Sequence, residues 1–330
     1  MRGGHCHPGR ACESATSGGV YARVLATGHG SRQLEGRTIG EVTTERAIQH
    51  RHVDHDGVRL HALEWAGPHR VVLCLHGITA NARAFSGLAA DLALRHRVVA
   101  VDFRGRGESD VPSGGYDVET HVADVAAVLD ALCLDRVDLV GWSLGGKVAL
   151  ALAATRAERV RRLVLLDPPV STSAAARAAL RGFWARLDRS YASIEEYLET
   201  ARAGASRFGG WSPAVEAYLR ADVRADSEGI VRHRVPRWVP ERELEAEART
   251  PTLRYAAAVE QPTLVLRSTL PLEFDGDAVL SVTDATRLVG VLHRARIEEV
   301  TGTNHFSMLL ADPVPVTSAV RRFLDAGDSG

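Results

Sequence analysis

Val137-Asp138-Leu139-Val140-Gly141-Trp142-Ser143-Leu144-Gly145-Gly146-Lys147-Val148-Ala149-Leu150 passes from a valine- and leucine-rich run, across small residues, into apolar residues at three- and four-residue spacing. The first part reads as a buried strand and the last as a helix over Leu144 to Thr155, with Ser143 on the corner between them. Gly141 and Gly145 stand two positions either side of it, a Gly-x-Ser-x-Gly string. In a strand–turn–helix setting that string has a mechanical meaning. A nucleophile on a tight, strained turn needs small neighbours to avoid clashes, and its hydroxyl then projects beside a helix N-terminus that favours developing negative charge.

Outward from this corner the chain keeps one rhythm. Val71 to Leu75, Val98 to Phe103, Leu163 to Leu166, Thr263 to Arg267 and Arg296 to Val300 are strand-like apolar runs, and Tyr116 to Leu134 between two of them has helical spacing. Strand and helix in alternation, with strands rich in Val and Leu, predict an α/β protein with a mostly parallel sheet covered on both faces. Val58 to Leu63 follows an Asp56-Gly57 turn signal and predicts a β-hairpin. After Pro168-Pro169 the alternation stops, and residues 170–255 read as a helical insertion without strands before the rhythm resumes. Residues 1–48 show no sustained period and are rich in Gly, Ser, Thr and Arg, which predicts a disordered extension. The organisation expected is therefore extension 1–48, first core part 49–169, cap 170–255 and second core part 256–330.

Composition removes several function classes. Of 330 residues, 40 are Lys or Arg and 41 Asp or Glu, a formal net charge of −1 that draws the protein to neither nucleic acid nor anionic lipid. No apolar run approaches the ~18 to 20 residues of a membrane span, and the first 40 residues lack a signal-peptide core. Four cysteines make no disulfide framework. Cys74 and Cys133 read as buried thiols, so the compartment expected is the cytosol. Lys147 is the only lysine.

Two rival motifs fail on context. Gly141-x-x-x-x-Gly146-Lys147 approaches a phosphate-binding loop, but Val148 stands where a magnesium-binding hydroxyl belongs. Lys147 then reads as a snorkelling surface residue. His50-x-His52-x-Asp54-His55 has metal-ligand spacing, yet polar residues precede it where a buried strand should, so its histidines read as facing water. The tail's His5-Cys6-His7 and Cys12 lack a second ligand pair. No metal and no cofactor are expected.

A hydroxyl nucleophile needs a base, an acid to orient it and donors for the oxyanion. His305, in Thr303-Asn304-His305-Phe306 after the last strand run, follows the serine in the right order and is the candidate base. Upstream, Val71 to Leu75 runs into His76-Gly77-Ile78-Thr79, where Gly77 lets the Ile78 N–H face the serine; the Leu144 N–H supplies a second donor. His76 reads as a structural hydrogen-bonding residue. Thr79 and Trp142, beside the oxyanion donors and the nucleophile, are the candidate substrate contacts.

Together, His76-Gly77-Ile78-Thr79, Asp102-Phe103-Arg104-Gly105-Arg106-Gly107-Glu108-Ser109-Asp110, Gly141-Trp142-Ser143-Leu144-Gly145-Gly146 and Asn304-His305 resemble the successive signatures of the α/β-hydrolase fold superfamily. The resemblance spans residues 52–325. It implies an eight-stranded, mostly parallel sheet with a helical cap after strand six, and cofactor-free acyl chemistry. Within the superfamily, His76-Gly77-Ile78-Thr79 followed by Asn81 is similar to the (E)-2-(acetamidomethylene)succinate hydrolases, whereas the elbow is similar to the carboxylesterases of biotin synthesis.

The resemblance also frames the search for the acid. Most relatives carry it just after the strand that Thr263 to Arg267 represents, but Ser268-Thr269-Leu270-Pro271-Leu272 holds none, and carboxylates return only at Glu273, Asp275 and Asp277. A second arrangement places it at the end of the preceding strand, where Asp167 stands. Asp167 is the first candidate, Asp277 the alternative and Asp275 the third. The activity implied is cleavage of a small-molecule ester or amide through an acyl-enzyme on Ser143. Carbon–carbon bond hydrolysis and cofactor-free perhydrolysis use the same residues, and a ligand-binding protein on this fold is the alternative of another class. Arg232, Arg234 and Arg237 in the cap would suit a carboxylate-bearing substrate, although an arginine-rich solvated surface explains them as well. The sequence does not speak to oligomeric state.

Overall fold

The computed structural model describes residues 48–68, 70–247, 250–272 and 278–326. The expected extension, apart from Ile48, lies outside the described residues, as do Glu273, Asp275 and Asp277. Ile48 is half-buried and packs against the core.

The central sheet has eight strands: β1 (Gln49–His55), β2 (Val58–Trp65), β3 (Val71–Leu75), β4 (Arg97–Asp102), β5 (Val137–Trp142), β6 (Val160–Leu166), β10 (Thr263–Ser268) and β11 (Ala295–Val300). Their spatial order is β1-β2-β4-β3-β5-β6-β10-β11. β1–β2 and β2–β4 pair antiparallel, and all the other pairs are parallel. The eight-stranded, mostly parallel architecture implied by the resemblance is the one observed. Asp56 (φ 48°) and Gly57 (φ 74°) close the first hairpin, two successive positive φ values whose twist suits a two-residue hairpin loop.

Strand alternation divides the core into two layers. Val72, Cys74, Val98, Ala100, Val164 and Leu166 face one side, where α1 (Ser86–Leu92) and α11 (Val314–Asp325) pack. Leu73, Leu75, Val99, Val101, Leu163 and Leu165 face the other, against α2 (Val118–Ala131), α3 (Leu144–Thr155), α8 (Thr252–Ala256) and α9 (Val282–Val291). A strand with both faces covered must be apolar at every position, which is why these runs were visible in the sequence. Each fully buried Leu or Val contributes roughly 1.5–3 kcal/mol.

The insertion between β6 and β10 holds α4 (Ala174–Trp184), α5 (Ile194–Arg202), α6 (Pro213–Arg220), α7 (Trp238–Glu247) and α8. It also holds a small sheet of β7 (Ser190–Tyr191), β8 (Val223–Ala225) and β9 (Val231–His233), ordered β7-β9-β8. That sheet corrects the reading of an insertion without strands. Strands of two and three residues are too short to display a period of two, and a turn folds β8 onto β9. In it, the Asp226 carboxylate accepts from the Glu228 and Ile230 N–H groups, both at 3.0 Å.

Cys133 is a second correction. It sits just past the end of α2 at φ 54° and is exposed. Cys74 is buried as expected, and burial raises its thiol pKa.

Candidate active site

β5 runs through the middle of the sheet and turns directly into α3 at Ser143, whose φ of 56° and ψ of −121° are strained for a residue with a side chain. Backbone approach explains the flanking glycines. A Cβ on Gly141 would lie 2.4 Å from the Gly145 oxygen, and one on Gly145 only 1.9 Å from the Leu75 oxygen. The turn is pinned from neighbouring strands: the Ser143 N–H donates to the Leu166 oxygen at 2.9 Å, and the Gly145 N–H to the His76 oxygen at 3.0 Å. Ser143 remains partly exposed and, with His305, lines a cavity of about 130 Å³.

Asp167, the first residue past β6, is fully buried and also held at positive φ, 45°. Its Oδ2 faces His305 Nδ1 at 3.2 Å. Ser268 holds the same carboxylate from the end of β10: its N–H donates to Oδ1 at 2.9 Å, and its hydroxyl donates to Oδ2 in a short hydrogen bond. Among the described residues this is the carboxylate that meets His305 Nδ1. Asp277 and Asp275 lie outside them.

The histidine loop is fixed from three directions. Trp142 Nε1 donates to the His305 carbonyl at 3.0 Å, and the two rings lie 5.3 Å apart. Asn304 Oδ1 accepts from the Phe306 and Ser307 N–H groups at 3.0 and 2.8 Å, starting α10 (Ser307–Leu310). The Thr269 and Leu270 N–H groups both donate to the Thr303 oxygen, at 3.0 and 2.8 Å. The stretch after β10 that lacks an acid thus ties down the loop that carries His305.

Ile78, Leu144, Thr79 and Trp142 also line the cavity. The Leu144 N–H belongs to the first turn of α3, where a helix leaves its N–H groups without intrahelical acceptors. His76 plays the structural part expected of it. Its Nε2 accepts from the Phe103 N–H at 3.1 Å, so the ring proton sits on Nδ1, which donates to the Gly77 oxygen at 2.7 Å. Burial keeps this imidazole neutral, its pKa pushed down to about 4.

The alpha/beta hydrolase fold family model matches residues 70–218. The chain has the α/β-hydrolase fold.

Several of its relatives are named as hydrolases, and the chain is an enzyme of that class. It is 29% identical over 279 residues to a 3-hydroxybutyrate-oligomer hydrolase of Cupriavidus necator, covering 80% of this chain and 92% of that one. It is 34% identical to a 2-(acetamidomethylene)succinate hydrolase of Mesorhizobium japonicum over 152 residues, 45% of this chain and 54% of that one. A crystal structure of E-2-(acetamidomethylene)succinate hydrolase superposes with a TM-score of 0.71 at 24% identity, covering 85% of this chain and all of that one. At that identity the likeness speaks for the fold alone. Among the described residues no helix is long and apolar enough to cross a membrane.

Within this hydrolase several side chains do what the sequence did not announce. Lys147 is buried, 1% exposed, and lines the cavity. The surface reading is therefore wrong: α3 packs beneath the sheet's centre and carries its lysine inward with it. Arg106, fully buried, donates from Nε to the Ile78 carbonyl at 2.9 Å and pairs through Nη2 with Glu243 of α7. Glu243 also accepts from His121 Nε2 at 2.6 Å. Burial drives His121 well below the usual imidazole range, so it is a neutral donor. The cap is thereby clasped to the residue whose backbone follows Gly77. The only sequence signal was the Asp102-to-Asp110 signature, which contains Arg106 but not its partner 137 residues away.

The cap arginines lie elsewhere. Arg232 pairs with Asp226, Arg237 with Asp188 at 3.0 Å and Glu241 at 2.9 Å, and Arg234 donates to the Val223 carbonyl. None of the three lines the cavity of Ser143. Apolar side chains from the cap (Leu180, Phe183, Leu244) and the core (Ile78, Leu144, Phe306) form most of its wall.

Proposed function

We propose that this hydrolase cleaves a small-molecule ester or amide through an acyl-enzyme on Ser143. The observation that carries the reading is the contact of His305 Nδ1 with a buried, doubly anchored carboxylate, in a cavity shared with a serine on a strained elbow. A carboxylate on Nδ1 keeps the proton there and leaves Nε2 free to accept one. His305 takes the Ser143 hydroxyl proton as Oγ attacks the carbonyl, and the Ile78 and Leu144 N–H groups receive the oxyanion. The imidazolium then protonates the leaving group. Water, deprotonated by the same ring, releases the acyl group and regenerates the serine. Removing one oxyanion donor would cost on the order of 3 kcal/mol. No metal or organic cofactor enters these steps.

The apolar wall supports an uncharged, apolar acyl portion, with Thr79 and Trp142 at the reacting end. Cys74 and Cys133, neither joined in a disulfide among the described residues, support a reducing, cytosolic location. A fluorophosphonate probe followed by intact-mass and peptide analysis tests the nucleophile. One adduct on Ser143, absent in Ser143→Ala together with turnover of p-nitrophenyl esters, is expected. Labelling elsewhere, or unchanged turnover in Ser143→Ala, would sink the proposal.

A further inference from the structure

The edge of the sheet farthest from the elbow's neighbours carries a second constellation. Residues of β1 and β2 that face each other share one side of the hairpin, and His52 pairs directly with His61. His50, two residues away on β1, shares that side. The rings of His50 and His52 lie 5.0 and 5.2 Å from that of His61. Glu108, from the loop after β4, completes the group. His50 Nδ1 stands 2.9 Å from His61 Nε2 and 3.8 Å from Glu108 Oε2, and His61 Nε2 stands 4.0 Å from the same oxygen.

His61 is the informative member. It is 2% exposed, and its Nδ1 lies 2.6 Å from Oδ2 of the buried Asp102. Asp102 is held in turn: Oδ1 accepts from the Ala82 N–H at 2.7 Å and Oδ2 from the Glu108 N–H at 3.0 Å. A carboxylate accepting at Nδ1 fixes the proton there, so the Nε2 lone pair points out toward His50 and Glu108. Carboxylate, then histidine, then an outward lone pair is the arrangement that orients metal-ligating imidazoles. A cation bonded at about 2.0–2.1 Å in tetrahedral geometry separates its ligand atoms by roughly 3.3 Å. The three observed separations bracket that value. The exposed side chains of His50 and Glu108 have room to close the difference.

We propose that His50, His61 and Glu108 form a binding site for a divalent transition cation of the zinc type, with His52 or water as fourth ligand. Two or three imidazoles and one carboxylate suit zinc and its neighbours rather than calcium or magnesium, which take oxygen ligands. Bound there, the cation joins β1, β2 and the loop after β4 at a point that none of them ties covalently. The site is separate from the cavity of Ser143, and none of its three ligands lines that cavity.

The test compares zinc retained by the full chain and by full-length His50→Gln after equilibrium dialysis at micromolar free zinc. His50 is exposed, so its replacement leaves the fold intact. Any zinc held by His5, Cys6, His7 or Cys12 is common to both proteins and cancels. One equivalent fewer in His50→Gln is expected, with at least tenfold weaker binding in Glu108→Gln. Zinc should also raise the thermal midpoint of the parent more than that of His50→Gln. Equal zinc in parent and His50→Gln, including none in either, overturns the site.

Discussion

β6 and β10 lie side by side, parallel and in register at Leu166 and Leu266, and their ends have exchanged a task. One leads into Asp167, just past its end, and presents a carboxylate; the other ends on Ser268 and presents a hydroxyl and an N–H that hold it. The position at which the family resemblance led one to expect the acid is occupied by its support. Neighbouring strands lie only about 4.8 Å apart, so an acid from either end can reach a histidine carried by the loop after β11. On the reading proposed above, what His305 needs is a carboxylate just beyond these strand ends, whichever strand delivers it.

Four experiments can break or sharpen this contrast. Asp167→Asn should lower kcat by roughly 10³ to 10⁴-fold while leaving the thermal melt cooperative, since an amide no longer fixes the imidazole tautomer. A loss under tenfold would move the acid elsewhere, with Asp277 first to be tried. Combining Asp167→Ser with Ser268→Asp moves the charge one strand over. It should recover on the order of tenfold over Asp167→Asn in kcat for the same ester; no recovery would mean that the position just after β6, and not merely the neighbourhood, is required.

Ser268→Ala deletes one hydrogen bond to a buried carboxylate. A cost of about 1.5 kcal/mol is expected in the urea-unfolding free energy, with roughly a tenfold fall in kcat. An unchanged kcat would reduce Ser268 to packing.

The smallest effect belongs to the other flank of the elbow, at His76. Its folded pKa is about 4, against about 6.5 in an unfolded chain. Between those values the unfolded state binds a proton that the folded state refuses, so stability falls as pH falls through that window. This one group should remove on the order of 1 kcal/mol per pH unit between pH 6.5 and 5.5, with buried His121 adding in the same direction. Urea midpoints read the slope, and His76→Asn should flatten it. An equal slope in the variant would place the titration elsewhere.

The parts of this molecule legible in its sequence are those governed by near-neighbour rules. Val137 to Trp142 and Val71 to Leu75 were visible as strands because both faces are covered. Ser143 was visible because its turn demands glycines at fixed offsets, and His305 because it follows a late strand. The acid was readable only as a choice, since it depends on which strands are adjacent. The contacts that needed the third dimension were invisible: Glu243 on Arg106, Ser268 on Asp167, and Glu108 beside His50. Lys147 was misread because helical spacing in an apolar run does not say which side faces the sheet. The cap sheet escaped because its strands have too few residues to repeat.

The burial of Lys147 has a consequence for handling the protein. Since it is the chain's only lysine, reagents that acylate amines find no exposed ε-amino group anywhere on the surface. Activated esters, which on most proteins modify surface lysines before reaching a pocket, find none on this one's exterior. Immobilisation, cross-linking or dye-labelling that relies on lysine must instead go through a thiol such as Cys133.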